Sequence, residues 1–363
     1  MKIVMVLYPG HGHIVEYGDW VGQPVPGSAE GELSTPNFSM RDFIEGQGHE
    51  LVVTTAREGD ELYQELQDAE VLITTPFWPV YANAEVMDQA PNLRQVIVAG
   101  VGSDHVDLTE AANRGIDVAE QTGAHVVSVA EHSVMCILNL LRNFVPSYNQ
   151  VVNGEWDIAG LAKRAYDLEG KTVGIFGAGQ IGQLIASRLK PFDVKMLYYK
   201  RSPLSIAEEE NFGMRYSYFD DMIEHCGIIA IAAPLTPETK HAFNRDTIYR
   251  MQRGSWIINC ARGPIVDEEA LVEALEDGQL AGYAGDVWDP EPAPSDHIWR
   301  TMPHHMMTPH TAGTTLDAQQ TYIDGVRRSL QSVFDGESIE DIRTVVVSGE
   351  IVSGTYKALE QAE

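Results

Sequence analysis

The stretch KTVGIFGAGQIGQLIASRLKPF, residues 171–192, decides the fold. It opens with a β-branched and apolar run ending Val173–Phe176, breaks at three glycines, and closes on a helical pattern. Gly177-Ala178-Gly179-Gln180-Ile181-Gly182 is G-x-G-x-x-G, weak evidence as six isolated residues. A strand directly before it and a helix directly after supply the context that a dinucleotide site requires. The glycines allow a tight turn and close backbone approach, and the helix N-terminus offers amides and a positive dipole end to a pyrophosphate. An ordinary glycine-rich turn is the bland reading, and the flanking pattern argues against it.

Outward from this motif, apolar strands are expected at 194–199, 227–232, 255–260 and around 281–287. Toward the N-terminus they are expected at 2–7, 50–54, 70–74, 96–99 and 116–119, with helix-compatible stretches between them. Strands alternating with helices imply an open, mostly parallel sheet. Two such series in 363 residues suit two domains better than one core. A long apolar helix from Val126 to about Phe144 is the candidate bridge between them. Residues 10–36, rich in Gly, Pro, Ser and acids, read as a surface loop, and the segment from Asp317 as helical and then irregular.

Composition narrows the function classes. With 53 Asp and Glu against 25 Lys and Arg, the formal net charge is −28, which argues against nucleic acid or an anionic membrane as partner. Eight of the basic residues are Lys and seventeen Arg. That skew fits a salt-adapted host or simply an acidic enzyme, and composition does not separate the two. No 18-residue apolar run occurs, and the N-terminal segment reads as a strand rather than a signal peptide, so the expected compartment is the cytoplasm. Cys136, Cys226 and Cys260 are far apart and odd in number, and are expected as free thiols. His304-His305 and His11/His13 have no acid or thiol at ligand spacing and read as loop histidines, so no metal is expected.

The end of the strand after the motif selects the cofactor. Sites for NAD place an acid there to hold the ribose hydroxyls. Here the sequence is Leu197-Tyr198-Tyr199-Lys200-Arg201-Ser202. Lys200 and Arg201 suit the 2′-phosphate of NADP, with Ser202 adding a hydroxyl, so NADP is the expected cofactor and NAD the alternative. Two solvated basic residues are the plain reading.

Three later residues carry chemistry. Arg262, in Asn259-Cys260-Ala261-Arg262-Gly263, suits a bidentate carboxylate clamp. Glu291, in Asp289-Pro290-Glu291-Pro292, and His310, in Thr308-Pro309-His310, form a general acid–base pair if they meet, because a carboxylate orients an imidazole and favours its protonated form.

These segments resemble the D-2-hydroxyacid dehydrogenase superfamily, and more closely its NAD-dependent formate dehydrogenase branch. The similarity covers almost the whole chain: TPFWP (75–79), AGVGSDHVD (99–107), GYAGDVWDPEPAPSDHIWRTMP (282–303) and MTPHTAGTT (307–315). It implies an α/β chain of two Rossmann-like, doubly wound domains, with a substrate domain from 1–125 plus 316–363 and a cofactor domain from 126–315. It also implies an active site in the interdomain cleft and a homodimer. Position by position, it implies that Pro76 and Phe77 wall the pocket, that backbone at Val101 and Gly102 and the Arg262 side chain hold the substrate carboxylate, and that His310 faces the reacting carbon. Asp286 would neighbour the nicotinamide carboxamide, and Pro234 and Gly313 would line the cofactor.

Three positions depart from the formate enzymes: His125 stands where they carry Asn, Glu291 where they carry Gln, and Ala312 where they carry Ser. Formate oxidation moves a hydride and requires no proton acceptor. Oxidation of a 2-hydroxy acid requires one, and the Glu–His pair supplies it. The residues therefore favour hydride transfer between nicotinamide and a small 2-hydroxy or 2-oxo acid, with formate the alternative. A dinucleotide-binding sensor is the remote third reading, disfavoured by retention of Arg262, Glu291 and His310 together.

Overall fold

In the computed structural model the described residues are 1–7, 40–74, 80–339, 343–354 and 356–357. The expected 10–36 loop, His11/His13, and Pro76 and Phe77 lie outside them. The chain divides into two compact units, Met1–His125 with Leu316–Glu363, and Val126–Thr315.

The first unit holds β1 (Lys2–Val6), β2 (Glu50–Thr54), β3 (Val71–Thr74), β4 (Gln95–Val98) and β5 (Asp117–Glu120), joined by β13 (Thr344–Val347) and β14 (Glu350–Ile351) from the far end of the chain. The order is β14-β13-β5-β4-β3-β1-β2, with β1 to β5 parallel. Read from β2, this is the 2-1-3-4-5 doubly wound order. β13 and β14 pair antiparallel at the edge, where the sequence showed only an irregular tail. The helix Leu316–Asp335 buries Tyr322, Val326, Leu330 and Val333, spaced by three or four, and its apolar side packs with Ile3, Met5, Ile73 and Ile97 of the sheet.

The second unit holds β6 (Thr172–Phe176), β7 (Lys195–Tyr199), β8 (Met214–Tyr216), β9 (Ile228–Ile231), β10 (Ser255–Asn259), β11 (Leu280–Gly285) and β12 (His305–Met307). Their order is β12-β11-β10-β9-β6-β7-β8, all parallel. Such strands are covered on both faces, and β9 and β10 are accordingly buried at every residue. The chain reverses its direction of winding between β6 and β9, the topological switch point where this fold binds ligands.

The expected bridge helix ends at Leu141. Asn143 takes a left-handed conformation, φ 49°, and a second helix, Phe144–Val152, starts from it. The first of these helices packs against Gln180–Leu189 and against β10 and β11, wholly within the second unit. His305 sits in β12 rather than in a loop.

Candidate active site

The candidate residues of the second unit lie beyond the carboxyl ends of its parallel strands. Gly177 follows β6, Lys200 follows β7, Pro234 lies beyond β9, Arg262 beyond β10, Asp286 follows β11 and His310 lies beyond β12. In open α/β sheets this is the edge where ligands bind, since every strand delivers its following loop there.

The glycines shape the dinucleotide cradle. Gly177 has φ 102°, and a Cβ on it would lie 2.5 Å from the backbone nitrogen of Ala233. A Cβ on Gly182 would lie 2.1 Å from the Gly177 carbonyl oxygen. Gly179 caps the helix Gln180–Leu189 without a side chain, and a Cβ there would meet nothing within 4 Å. Gln180 and Ile181 form the first turn of that helix. The two flanking glycines are thus required by packing, and the middle one leaves open space beside uncapped helix amides, as a pyrophosphate requires. The residues present fit a nicotinamide dinucleotide.

At the end of β7, Lys200 is half-buried and Arg201 and Ser202 are exposed. Each cation has an acidic neighbour. The Ser205 hydroxyl and amide, with Lys200 adding, hold the Glu208 carboxyl below its ordinary range. Glu238 is lowered by Thr236, by its own backbone and by Arg201.

Buried Asn259 fixes the turn that presents Arg262. Its Oδ1 accepts from the Ala261 amide at 3.1 Å and its Nδ2 donates to the Arg262 carbonyl at 2.9 Å. The Arg262 Nη1 donates to the Ala261 carbonyl at 2.9 Å. A Cβ on Gly263 would lie 2.2 Å from the Trp288 carbonyl oxygen, so glycine lets the arginine loop and the Glu291 loop abut. In that second loop the Trp288 amide donates to Glu291 Oε1 at 2.8 Å. The other oxygen of Glu291 lies 2.7 Å from His310 Nδ1. Both side chains are partly exposed, 24% and 31%. A carboxylate on Nδ1 orients the imidazole, the arrangement of a general acid–base pair.

Asp286 is engaged by its own loop. It is 1% exposed, and its Oδ1 accepts from Thr308 Oγ1 at 2.5 Å and from the Thr311 amide at 2.8 Å, while Oδ2 accepts from the Ala312 amide at 2.8 Å. The carboxylate is thereby spent mainly on holding the loop whose centre is His310, a non-glycine residue at φ 56°. Gly313 follows in the same loop. Pro234 is exposed, and its carbonyl accepts from Thr239 Oγ1 at 2.7 Å.

In the first unit, Gly102 has φ 103°, and its amide donates inward to Glu120 Oε2 at 3.1 Å. The glycine supplies a left-handed turn, and its N–H is engaged by Glu120. Ser103 Oγ and Tyr356 Oη donate to the same carboxylate oxygen at 2.8 and 2.9 Å. Burial, with Glu120 and Asp104 nearby, pushes the Tyr356 phenol far up, so it stays a donor. Val101 precedes this turn, and the ring of half-buried His125 lies 6.2 Å from that of Tyr322.

Sequence reasoning missed Glu120, Tyr356, Asn259 and Thr308. An isolated polar residue inside an apolar strand, as Asn259 is, was the one available signal. It also missed that Cys136 and Cys260, distant in the chain, come together with His132.

A family model described as the NAD binding domain of D-isomer specific 2-hydroxyacid dehydrogenase matches residues 134–312. The chain is 46% identical over 353 residues to a formate dehydrogenase, chloroplastic/mitochondrial, of Arabidopsis thaliana, covering 96% of this chain and 89% of that protein. Among solved structures, a Granulicella formate dehydrogenase superposes with a TM-score of 0.86 at 40% identity, covering 97% of this chain and all of that one. An NAD-dependent formate dehydrogenase from Staphylococcus aureus, solved with NAD, superposes with a TM-score of 0.80 at 42% identity, covering 96% and 100%. These relatives and the glycine cradle make the protein an NAD(P)-dependent oxidoreductase acting on a small carboxylate. The chain belongs to the D-isomer specific 2-hydroxyacid dehydrogenase family, within which it groups with the formate dehydrogenases.

Proposed function

We propose that the protein oxidises formate to CO2 with NADP+ as hydride acceptor. The observation that carries the substrate is identity to formate dehydrogenases over nearly the whole chain, including the unit outside the dinucleotide-binding model. This weighs more than the three departures, Glu291 above all, that tipped the sequence reading toward a 2-hydroxy acid. In this reading Arg262 clamps the formate carboxylate, His310 Nε2 orients it, and Glu291 fixes the ring. A nicotinamide dinucleotide held at the Gly177–Gly182 cradle would supply the hydride acceptor.

The 2.7 Å contact between Glu291 and His310 supports a second reading, reduction of a small 2-oxo acid, because that pair can deliver the proton which alkoxide formation demands. The test is turnover of formate and deuterated formate, glyoxylate and pyruvate with each cofactor. Formate oxidation with a primary deuterium isotope effect supports the first reading. Reduction of glyoxylate with no turnover of formate overturns it.

The NADP preference rests on Lys200 and Arg201 where an acid would repel a 2′-phosphate. A charge-assisted bond is worth about 1.5–3 kcal/mol, so each contact gives about tenfold or more, trimmed here by Glu208 and Glu238. Higher kcat/KM with NADP+ than with NAD+, reversed by Lys200→Asp, is the expected result. Equal use of both with Lys200→Ala silent overturns it.

A homodimer is proposed on the apolar surface of two neighbouring helices, Phe144–Val152 and Ile158–Ala162. Tyr148, Val151, Val152, Trp156 and Ile158 are each more than half exposed there, a patch that a second copy would cover.

A further inference from the structure

Behind the loop that carries His310, three soft ligand groups converge. His132 and Cys136 are four residues apart on the helix Val126–Leu141 and so share a face. Cys260 is the first residue after β10, against which that helix packs. One ring nitrogen of His132 and the two sulfurs lie within 4.8 Å of one another. Cys136 is fully buried, and Cys260 and His132 are half-buried.

We propose that His132, Cys136 and Cys260 bind one thiophilic cation of the Zn2+ class, and that its occupation lowers turnover through the Asp286 network. Two thiolates and an imidazole suit Zn2+ or Cu+ and not the oxygen-seeking Mg2+ or Ca2+. Zn–S bonds of about 2.3 Å and Zn–N bonds of about 2.0–2.1 Å place tetrahedral ligand atoms roughly 3.5–4 Å apart, so closing the triangle by about 1 Å suffices. Three protein ligands leave a fourth position open. The cation binds the thiolate form, so its binding releases the thiol protons, and it neutralises charge that the interior would otherwise penalise.

The coupling runs through Thr308. His132 Nε2 lies 3.2 Å from Thr308 Oγ1, which donates to Asp286 Oδ1, and Asp286 holds the amides of Thr311 and Ala312 on the far side of His310. If His132 ligates through Nδ1, Thr308 becomes the outer partner that orients the ring. Drawing His132 toward two sulfurs strains this chain of bonds, and Cys260 is two residues from Arg262.

The binding part stands apart from the dehydrogenase reading, and only the effect on turnover rests on it. The test uses full-length reduced protein under anaerobic conditions, titrated with Co2+ as spectroscopic probe and then with Zn2+. One equivalent of Co2+ should produce a thiolate-to-metal charge-transfer band that Zn2+ abolishes. Cys136→Ala and Cys260→Ser should each lose the band, and Cys226→Ala should keep it; circular dichroism verifies that each variant is folded. Zn2+ should lower kcat of the wild type at least several-fold and leave Cys136→Ala unaffected. Absence of the band, its survival in both cysteine variants, or loss of two titratable thiols to a disulfide without metal overturns the site. A normal band with unchanged turnover overturns the coupling alone.

Discussion

Replacing Asp286 by Asn tests whether this carboxylate, rather than the backbone of its loop, holds His310 in position. The wild-type side chain accepts three bonds, two on Oδ1 and one on Oδ2, from Thr308 Oγ1 and the amides of Thr311 and Ala312. Asn retains one carbonyl oxygen, which best serves the two donors, and its NH2 then faces the Ala312 amide. Ala312 is 3% exposed, so that N–H is left buried without an acceptor at a cost of about 1–3 kcal/mol. The lost charge-assisted bond is worth about 1.5–3 kcal/mol more, and the two retained bonds weaken because charge assistance roughly doubles their strength. A total of about 4 kcal/mol exceeds what a left-handed His310 conformation tolerates without relaxation. At about 1.4 kcal/mol per factor of ten, kcat/KM should fall by two to three orders of magnitude. Thr308→Val, which removes one donor and leaves the carboxylate, should cost about tenfold. Steady-state kinetics are read beside thermal unfolding, which should drop for Asp286→Asn. Wild-type kinetics in the Asn variant, or a larger loss in Thr308→Val, refutes the account.

Other outcomes follow from single contacts. His105 is 2% exposed with its Nε2 2.8 Å from Thr74 Oγ1, and burial pushes its pKa down to about 4. The unfolded chain binds this proton below about pH 6.5 and the folded one only near pH 4, so the imidazole's contribution is complete above pH 6.5. As pH falls through that window about 3 kcal/mol is lost, and urea unfolding of His105→Asn should show a flatter pH dependence; an unchanged slope sinks this assignment. Arg262→Lys should lower kcat/KM about a hundredfold or more, because an ammonium lacks the bidentate fork, and near-normal kinetics would remove the guanidinium from the site. Gly177→Ala combines φ 102° with a clash against Ala233, so it should lower thermal stability and weaken dinucleotide binding measured by calorimetry, and unchanged affinity would contradict the cradle. Glu291→Gln keeps a hydrogen bond to His310 but withdraws the charge. It should depress any 2-oxo acid reduction far more than formate oxidation, and equal losses in both would deny the pair a proton-transfer role.

Local signals carried much of this protein. The strand–glycine–helix pattern at 171–192 named the dinucleotide cradle, and apolar runs located ten of the strands, because periodicity and turn chemistry act over a few residues. Arg262, Glu291 and His310 stood out by another signal, their order after the dinucleotide motif, which resembles that of a known family. The strand order was not, because the same βαβ units close into either sheet until packing chooses a neighbour. The edge strands β13 and β14 gave no alternation long enough to read. Folding alone brings Tyr356 to Ser103 across 253 residues, with a bond of 2.6 Å, and Cys260 to Cys136. It also turned Asp286 inward onto its own loop and the Gly102 amide onto Glu120, since a buried carboxylate must collect donors from whatever backbone the topology places beside it.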